Sequence, residues 1–430
     1  RSAVECYATI QVMRSQMEHL QKVESKLAVT FVEIEMPIQR VLVGMENAGF
    51  PVDIQKISEV ATELGNALKP LESKMFRTHG RSFNVKSSEE LAKVLGLTGK
   101  RVSRPILEKH IHPISKLVLQ HRTVSATLTK CIQPLIRQIE NQRIYPRSFS
   151  FTSTGRITMY EPNLQSVTKN FEISSDSGPI TISCRSAFRA RPGNELLSAD
   201  FCQLELRILT HFSNDQTLTK IMRSNCDVFK TIAAKWNNVT QAEVTDKQRN
   251  DSKQICYGII YGMGVKTLAE KLNCDETEAE KQQALFYQCY PGIRVFAEKV
   301  IARTRECGFV ETISGRRRYL PHITSNEASK RAEAERQALN SLIQGSAADI
   351  AKEAMLSMDK CLSQGENNLE DVKLVLHLHD ELVYESPKMI SKRVIQKLKT
   401  SMEDCHSLNV PLRVKVKKGE DWGTMQEIDC

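Results

Sequence analysis

Along the first 130 or so residues, apolar positions recur at three- and four-residue intervals, the period of a helix with one buried face. "IQRVLVGMENAGF" (38–50) and "KLVLQHRTVSATLTKCIQPL" (116–135) both read this way. In "SFNVKSSEELAKVLGL" (82–97), Ser87-Ser88-Glu89-Glu90 precedes a helical run and predicts a capped start. From "RIYPRSFSFTSTGRITMYEPNLQSV" (143–167) onward, Thr, Ser, Gly and Pro dominate and only short β-prone runs remain. "NFEISSDSGPITI" (170–182) reads as a surface loop. "NELLSAD" predicts a strand ending at Asp200, with a helix behind it in "QLELRILTHF" (203–212). Residues 225–310 return to helical spacing. In "VKLVLHLHDELVYES" (372–386), apolar runs bracket a polar tip, "HDE", as in a hairpin, and "PLRVKVKKGEDWG" (411–423) predicts a last strand. The order helical, mixed, helical, β predicts an α+β fold: one sheet assembled from distant segments, with helical lobes inserted around it.

Composition narrows the class only a little. Lys plus Arg is 60 and Asp plus Glu is 51 among 430 residues, a net charge of +9 that permits a polyanionic partner without requiring one. Twelve cysteines are scattered without C-x-x-C pairs or zinc spacing, which predicts reduced thiols. No apolar run reaches the roughly 18 residues a membrane span needs, and no membrane partner is expected. There are no repeats or low-complexity tracts. The start, "RSAVECYATI", has neither a Met nor a signal-peptide pattern, so an excised piece of a longer chain is expected.

Two acids stand at strand ends 180 residues apart, Asp200 and Asp380. If the strands are neighbours the carboxylates converge, and their repulsion calls for a cation; hard oxygen ligands favour Mg²⁺ or Mn²⁺. The plainer reading makes Asp200 a helix cap and "HDE" a solvated turn. In "RNDSKQICYGIIYGMG" (249–264), Arg249, Lys253, Tyr257 and Tyr261 fall at intervals of four. On a helix they form a slowly twisting stripe ~18 Å long, suited to a long anion with an aromatic ring at one end. An amphipathic helix with a solvated basic end fits the same spacing. There is no G-x-x-x-x-G-K-[ST], so a triphosphate would be gripped by side chains.

The ordered set "LLSADFCQLELRIL", "RNDSKQICYGIIYGMG", "RRRYLP", "RQALNSLIQGSAADI" and "LHDELVYE", joined by "TSTGRI…EPNLQSV", resembles the family A (DNA polymerase I-like) DNA polymerases from about residue 35 to the end. The resemblance implies a right-hand polymerase with thumb, palm and fingers, preceded by a remnant of an exonuclease-like domain. It divides the chain into an upstream tail (1–35), a thumb and adjoining helices (36–145), a first palm part (146–224), fingers (225–325, with the nucleotide helix at 249–264) and a second palm part (326–430). The implied reaction is two-metal addition of deoxynucleotides to a primer 3′-OH on primer–template DNA. Two Mg²⁺ ions, with Mn²⁺ as a substitute, would be held by Asp200, Asp380 and the Phe201 carbonyl; Glu381 is an auxiliary acid.

Deoxynucleoside triphosphates would meet Gln203, Glu205, Arg249, Lys253, Tyr257 and Tyr261. Lys253 could protonate the leaving group, and Tyr261 with Glu205 would exclude a ribose 2′-OH. Arg156, Gln165, Arg336, Asn340 and Gln344 would reach minor-groove atoms common to all base pairs. His379 would lie near the primer terminus. Arg122 and Lys169 would meet phosphates, and Arg316, Arg317 and Arg318 the template, or else be a solvated charge run.

Within the family the chain resembles a eukaryotic repair branch most closely and a second eukaryotic branch less so. That implies error-prone synthesis, end joining of double-strand breaks, lesion bypass, a nuclear location and an upstream helicase-like domain. Some 35 residues before the thumb are too few for an exonuclease, so proofreading by these residues is not expected. Phe229 in "CDVFKTIAAKW" stands where bacterial members have a His, and "ISSDSGPI" and "SQGENNLED" are short where the branch carries long loops. Two other classes fit part of the pattern. A non-catalytic DNA-binding scaffold on the same fold would not need Asp200, Asp380, Arg249 and Lys253 together. A metal-dependent nuclease would leave the triphosphate helix idle.

Overall fold

The computed structural model describes residues 2–97, 102–175, 178–224, 226–364 and 369–429. The chain is α+β, as its patterning predicts. The helix Met36–Ala48 buries Ile38, Val41, Leu42 and Met45 on one face and stops at Gly49. Gly49 has φ 63°, and a Cβ there would fall 2.7 Å from the Tyr145 ring, so no larger residue fits that turn. Ser87 caps the helix Ser88–Val94 by accepting from the Glu90 N–H, as its sequence predicts. The stretch 116–135 runs through the helix Pro113–Ala126, a π-helical segment Thr127–Ile132 and the short helix Gln133–Ile136.

The platform for the site is a five-stranded antiparallel sheet in the order Lys373–Leu378, Glu381–Pro387, Asn194–Phe201, Val414–Gly419, Gln426–Ile428. The Asn194–Phe201 strand is central. Its run "LLSA" is wholly buried, because neighbours cover both faces. The 36-residue helix Ala328–Ser363 and the helix Ser391–Glu403 pack together behind it. The final strand, Gln426–Ile428, is too short to be marked by alternation.

Two expectations are corrected. The segment 170–182 is not a loop but a hairpin, Phe171–Ser175 with Gly178–Ile182, pairing Phe171 with Ile182 and Ile173 with Ile180. Its Ser, Asp, Gly and Pro residues hide the alternation, yet Ile173 and Ile182 are buried and supply the driving force. The helix expected over 249–264 spans Asp246–Ile260, opened by a reciprocal Thr245–Gln248 capping box. It ends with Tyr261 as cap. Gly262 turns left-handed (φ 59°), where a Cβ would sit 2.9 Å from the Arg336 Cγ. "SQGENNLED" falls partly outside the described residues.

The eleven described cysteines are free. Among the described residues no helix is long and apolar enough to cross a membrane.

Candidate active site

Strand pairing solves the long-range part of the problem. Asp200 stands opposite Glu381 in the register, and the turn His379–Asp380 closes the hairpin at the same end of the sheet. The Phe201 N–H donates to the Asp380 carbonyl (3.2 Å), fastening that turn beside Asp200. His379 takes a left-handed φ of 62° there. The two acids therefore share one half-buried recess. Burial first, then the Asp380 and Glu381 carboxylates, push Asp200 up to about 7, against the pull of Lys417 and Lys169. Asp380 is pushed up to about 6 by burial, with Glu205 and Glu381 adding to it and Arg156 opposing. Glu381 accepts a hydrogen bond from the Ser198 hydroxyl.

Glu205 links this recess to the helix Asp246–Ile260. Its carboxylate accepts from Arg156 and, at 2.8 Å, from the Tyr261 hydroxyl. Tyr261 stacks on Tyr257 (centroids 6.2 Å, 18° between planes), and Tyr257 meets Phe229 at 6.0 Å. Burial and then Glu205 push the Tyr257 hydroxyl up to about 12 and the Tyr261 hydroxyl further still, so both remain donors. Lys253 Nζ lies 6.0 Å above the Phe229 ring. Arg249 is held by Asp227 at 2.9 Å. Burial opposes it, but the Lys230 N–H and the Arg249 guanidinium keep Asp227 below the usual carboxylate range. The stripe expected from the spacing thus exists, with Tyr261 joining it from the helix cap.

The remaining residues divide. Gln203 is half-buried at φ 50°, between strand and helix. Arg336, Asn340 and Gln344 lie along one partly open face of the helix Ala328–Ser363; the Asn340 Oδ1 is buried with no hydrogen-bonding partner among the protein's atoms. Gln165 is tied inward, its amide donating to the Ile157 and His377 carbonyls (3.1 Å each). Lys169 is exposed, and burial lowers the His379 imidazole. Arg122 donates to the Val102 carbonyl. The arginine run is engaged within the protein and is not a freely solvated patch. Arg316 pairs with Asp349 and Glu35, Arg317 with Glu24 and Glu311 over the Phe309 ring (4.1 Å), and Arg318 donates to Ser341 (2.6 Å). Arg316 and Arg317 fasten the N-terminal segment to the hairpin Phe309–Glu311/Arg317–Tyr319.

Sequence reasoning passed over Asp227, Ser198 and His377. His377 is 3 % exposed, and neither ring nitrogen reaches a protein partner. It lines a cavity of about 30 Å³ with Arg156, Glu205 and Asp380. Burial holds its pKa down to about 4, so it stays neutral. No local pattern marks these residues: Asp227 and Ser198 act through partners distant in sequence, and His377 is set by its burial.

Among the described residues no group of three or more His, Cys, Asp or Glu forms a closed metal cage. Two carboxylates made costly by burial and by neighbouring negative charge, with a nearby backbone carbonyl, instead fit a Mg²⁺-like cation that takes its other oxygens from phosphate or water. A cavity of about 850 Å³ lies at the far end of the central strand beside Asn194, away from these acids.

A profile of DNA polymerase family A matches residues 54–424. The chain is 46 % identical over 439 residues to DNA polymerase theta of Drosophila melanogaster and 33 % identical over 546 residues to that of Mus musculus. Both alignments take in all of this chain and 21 % of the relative. It is 35 % identical to the thermostable DNA polymerase I of Thermus filiformis, over 93 % of this chain and 49 % of that one. The chain thus spans about a fifth of the length of the theta relatives and half of the bacterial one. Among solved structures, the POL domain of Pol1 from M. smegmatis, in complex with DNA primer-template and dNTP, superposes with a TM-score of 0.87 at 29 % identity, over 98 % of this chain and 76 % of that chain.

Proposed function

The chain belongs to DNA polymerase family A, and on that premise we propose that it is a DNA-templated DNA polymerase that extends a primer 3′-OH with deoxynucleotides. One observation carries this reading: Asp200 and Asp380 converge at one sheet end, and Glu205 ties that end to the Arg249–Lys253–Tyr257–Tyr261 stripe.

Asp200, Asp380 and the Phe201 carbonyl would hold two Mg²⁺ ions, with Mn²⁺ as a substitute. When bound, the ions make the primer hydroxyl a better nucleophile and neutralise charge on the triphosphate. The chain's own groups do the rest. Arg249 and Lys253 bind the triphosphate, Arg249 exchanging Asp227 for phosphate oxygens, and Lys253 protonates the departing pyrophosphate. Tyr257 stacks beside the incoming base. Tyr261, held by Glu205, leaves no room for a ribose 2′-OH. Gln203 closes the pocket, and Glu381 adds negative field from the turn. Arg156, Arg336, Asn340 and Gln344, with the free oxygen of Gln165, face the minor groove. His379 lies at the primer terminus, and Lys169 and Arg122 meet backbone phosphates. In this reading 36–145 is thumb and adjoining helices, 146–224 and 326–430 palm, and 225–325 fingers.

Identity with theta enzymes along the whole chain favours a theta-like protein. That reading brings error-prone synthesis in end joining and lesion bypass, a nuclear location and an upstream helicase-like domain. The test is a primer–template extension assay with Mg²⁺, each nucleotide supplied separately. Extension should occur with the nucleotide complementary to the template and, at a lower rate, with mismatched ones. Extension independent of template sequence overturns the templated reading.

A further inference from the structure

The hairpin Arg147–Phe149/Thr158–Tyr160 takes no part in the mechanism above. Its register pairs Arg147 with Tyr160, Ser148 with Met159 and Phe149 with Thr158. Side chains alternate across a strand, so Arg147, Phe149, Thr158 and Tyr160 share one face, while Ser148 and Met159 share the other. The inner face is anchored. Met159 is buried, Glu46 accepts from both the N–H and the hydroxyl of Ser148, and Gln39 donates to the Ser150 hydroxyl (3.1 Å).

The outer face is open. Phe149 is 45 % exposed, Tyr160 44 % and, just beyond the strand, Phe151 79 %. Phe151 stands edge-on to Phe149 (5.8 Å, 65°), which leaves ring faces uncovered. Three large rings in water, on a face whose back is already anchored, contribute little to folding and mark an interaction surface. Arg147, a cation, is exposed on the same face; Glu161 is exposed beside Tyr160, and Glu46 is engaged with Ser148. Arg156, which grips Glu205 in the active site, is two residues from Thr158. The platform therefore begins within about 7 Å of chain from the catalytic recess.

We propose that this face is a stacking platform for unpaired deoxynucleotides of the DNA held in that recess, a proposal that rests on the polymerase reading. Bases in a duplex already cover each other's faces. Uncovered rings beside a cation match bases that have left the stack, one ring per base and the guanidinium on a phosphate. Continuity with the site and the positive partner choose a nucleic acid over a protein as occupant.

The test uses the whole chain and two DNAs carrying 2-aminopurine: a primer–template with an unpaired template tail, and a blunt duplex. For Phe149→Ala/Phe151→Ala, affinity for the tailed DNA should fall roughly 5- to 100-fold. Quenching of the tail probe should weaken, while blunt-duplex affinity and the melting temperature hold. The double Phe→Trp variant should restore binding. Arg147→Ala should lower the slope of log affinity against log salt by about 1, a change the aromatic variant lacks. Unchanged tail binding, or equal loss on both DNAs, overturns the platform; a protein partner captured by the same rings would give the first of these. If the unaltered chain binds neither DNA, the polymerase reading itself fails.

Discussion

At the scale of single residues, the site is an electrostatic liability, two acids buried beside like charges. Asp200 sits near 7 in the fold against an ordinary 3.8, so folding favours its neutral form. Its contribution to stability is complete below pH 3.8 and is lost as pH rises through 7. Asp200→Asn should therefore raise the melting temperature of the metal-free protein at pH 8 and leave it nearly unchanged at pH 4. His377, held at about 4 by burial, works in the opposite sense: its contribution is present above 6.5 and lost as pH falls towards 4. It is common to both proteins and cancels in the comparison. Mg²⁺ at pH 8 should stabilise the unaltered protein and not the Asn variant. A melting difference equal at both pH values contradicts the shared-recess account.

Glu205 holds two donors, Arg156 and Tyr261. Glu205→Ala should slow synthesis and lower the preference for deoxy- over ribonucleotides by about tenfold or more, the scale of a lost charged hydrogen bond. An unaltered ratio of kcat/KM for the two sugars contradicts that role. Lys253→Ala should raise the nucleotide KM and slow the chemical step, while duplex affinity holds. A nucleotide response that does not change removes Lys253 from the site.

At the scale of elements, some features are legible in the sequence because their physics is local. The Ser87 cap, the hairpin around "HDE" and the stripe on the helix Asp246–Ile260 need only neighbours a few residues away. The hairpin at 171–182 was masked by turn-forming residues packed into short strands. The helix end at Ile260 depends on Gly262 meeting Arg336, a contact with a distant helix. The ion pairs of the arginine run are hidden in the sequence for the same reason. The partners of Arg317 include Glu24, 293 residues away, and no spacing announces them. Arg317→Ala should loosen the N-terminal segment and cost about 1.5–3 kcal/mol, read as a lower denaturant midpoint and faster proteolysis near residues 24–30. The salt dependence of DNA binding should not change. A slope reduced by about 1 without loss of stability would show a template contact instead.

At the scale of the whole molecule, the sheet does what no segment does alone. Asp200 and Asp380 are far apart in the chain, and their acid-tipped strands only hinted at a meeting. Antiparallel pairing of Glu381–Pro387 with Asn194–Phe201 makes it a matter of register, and a one-residue slip would send one carboxylate to the opposite face. The helix Asp246–Ile260 then reaches the recess through Tyr261 and Glu205. The most direct measurement is single-turnover incorporation of one correct nucleotide, with Mg²⁺, by Asp380→Ala and the unaltered chain at equal occupancy of primer–template DNA. The account predicts that the variant binds the duplex with near-normal affinity and adds no nucleotide. Incorporation at the unaltered rate would contradict it.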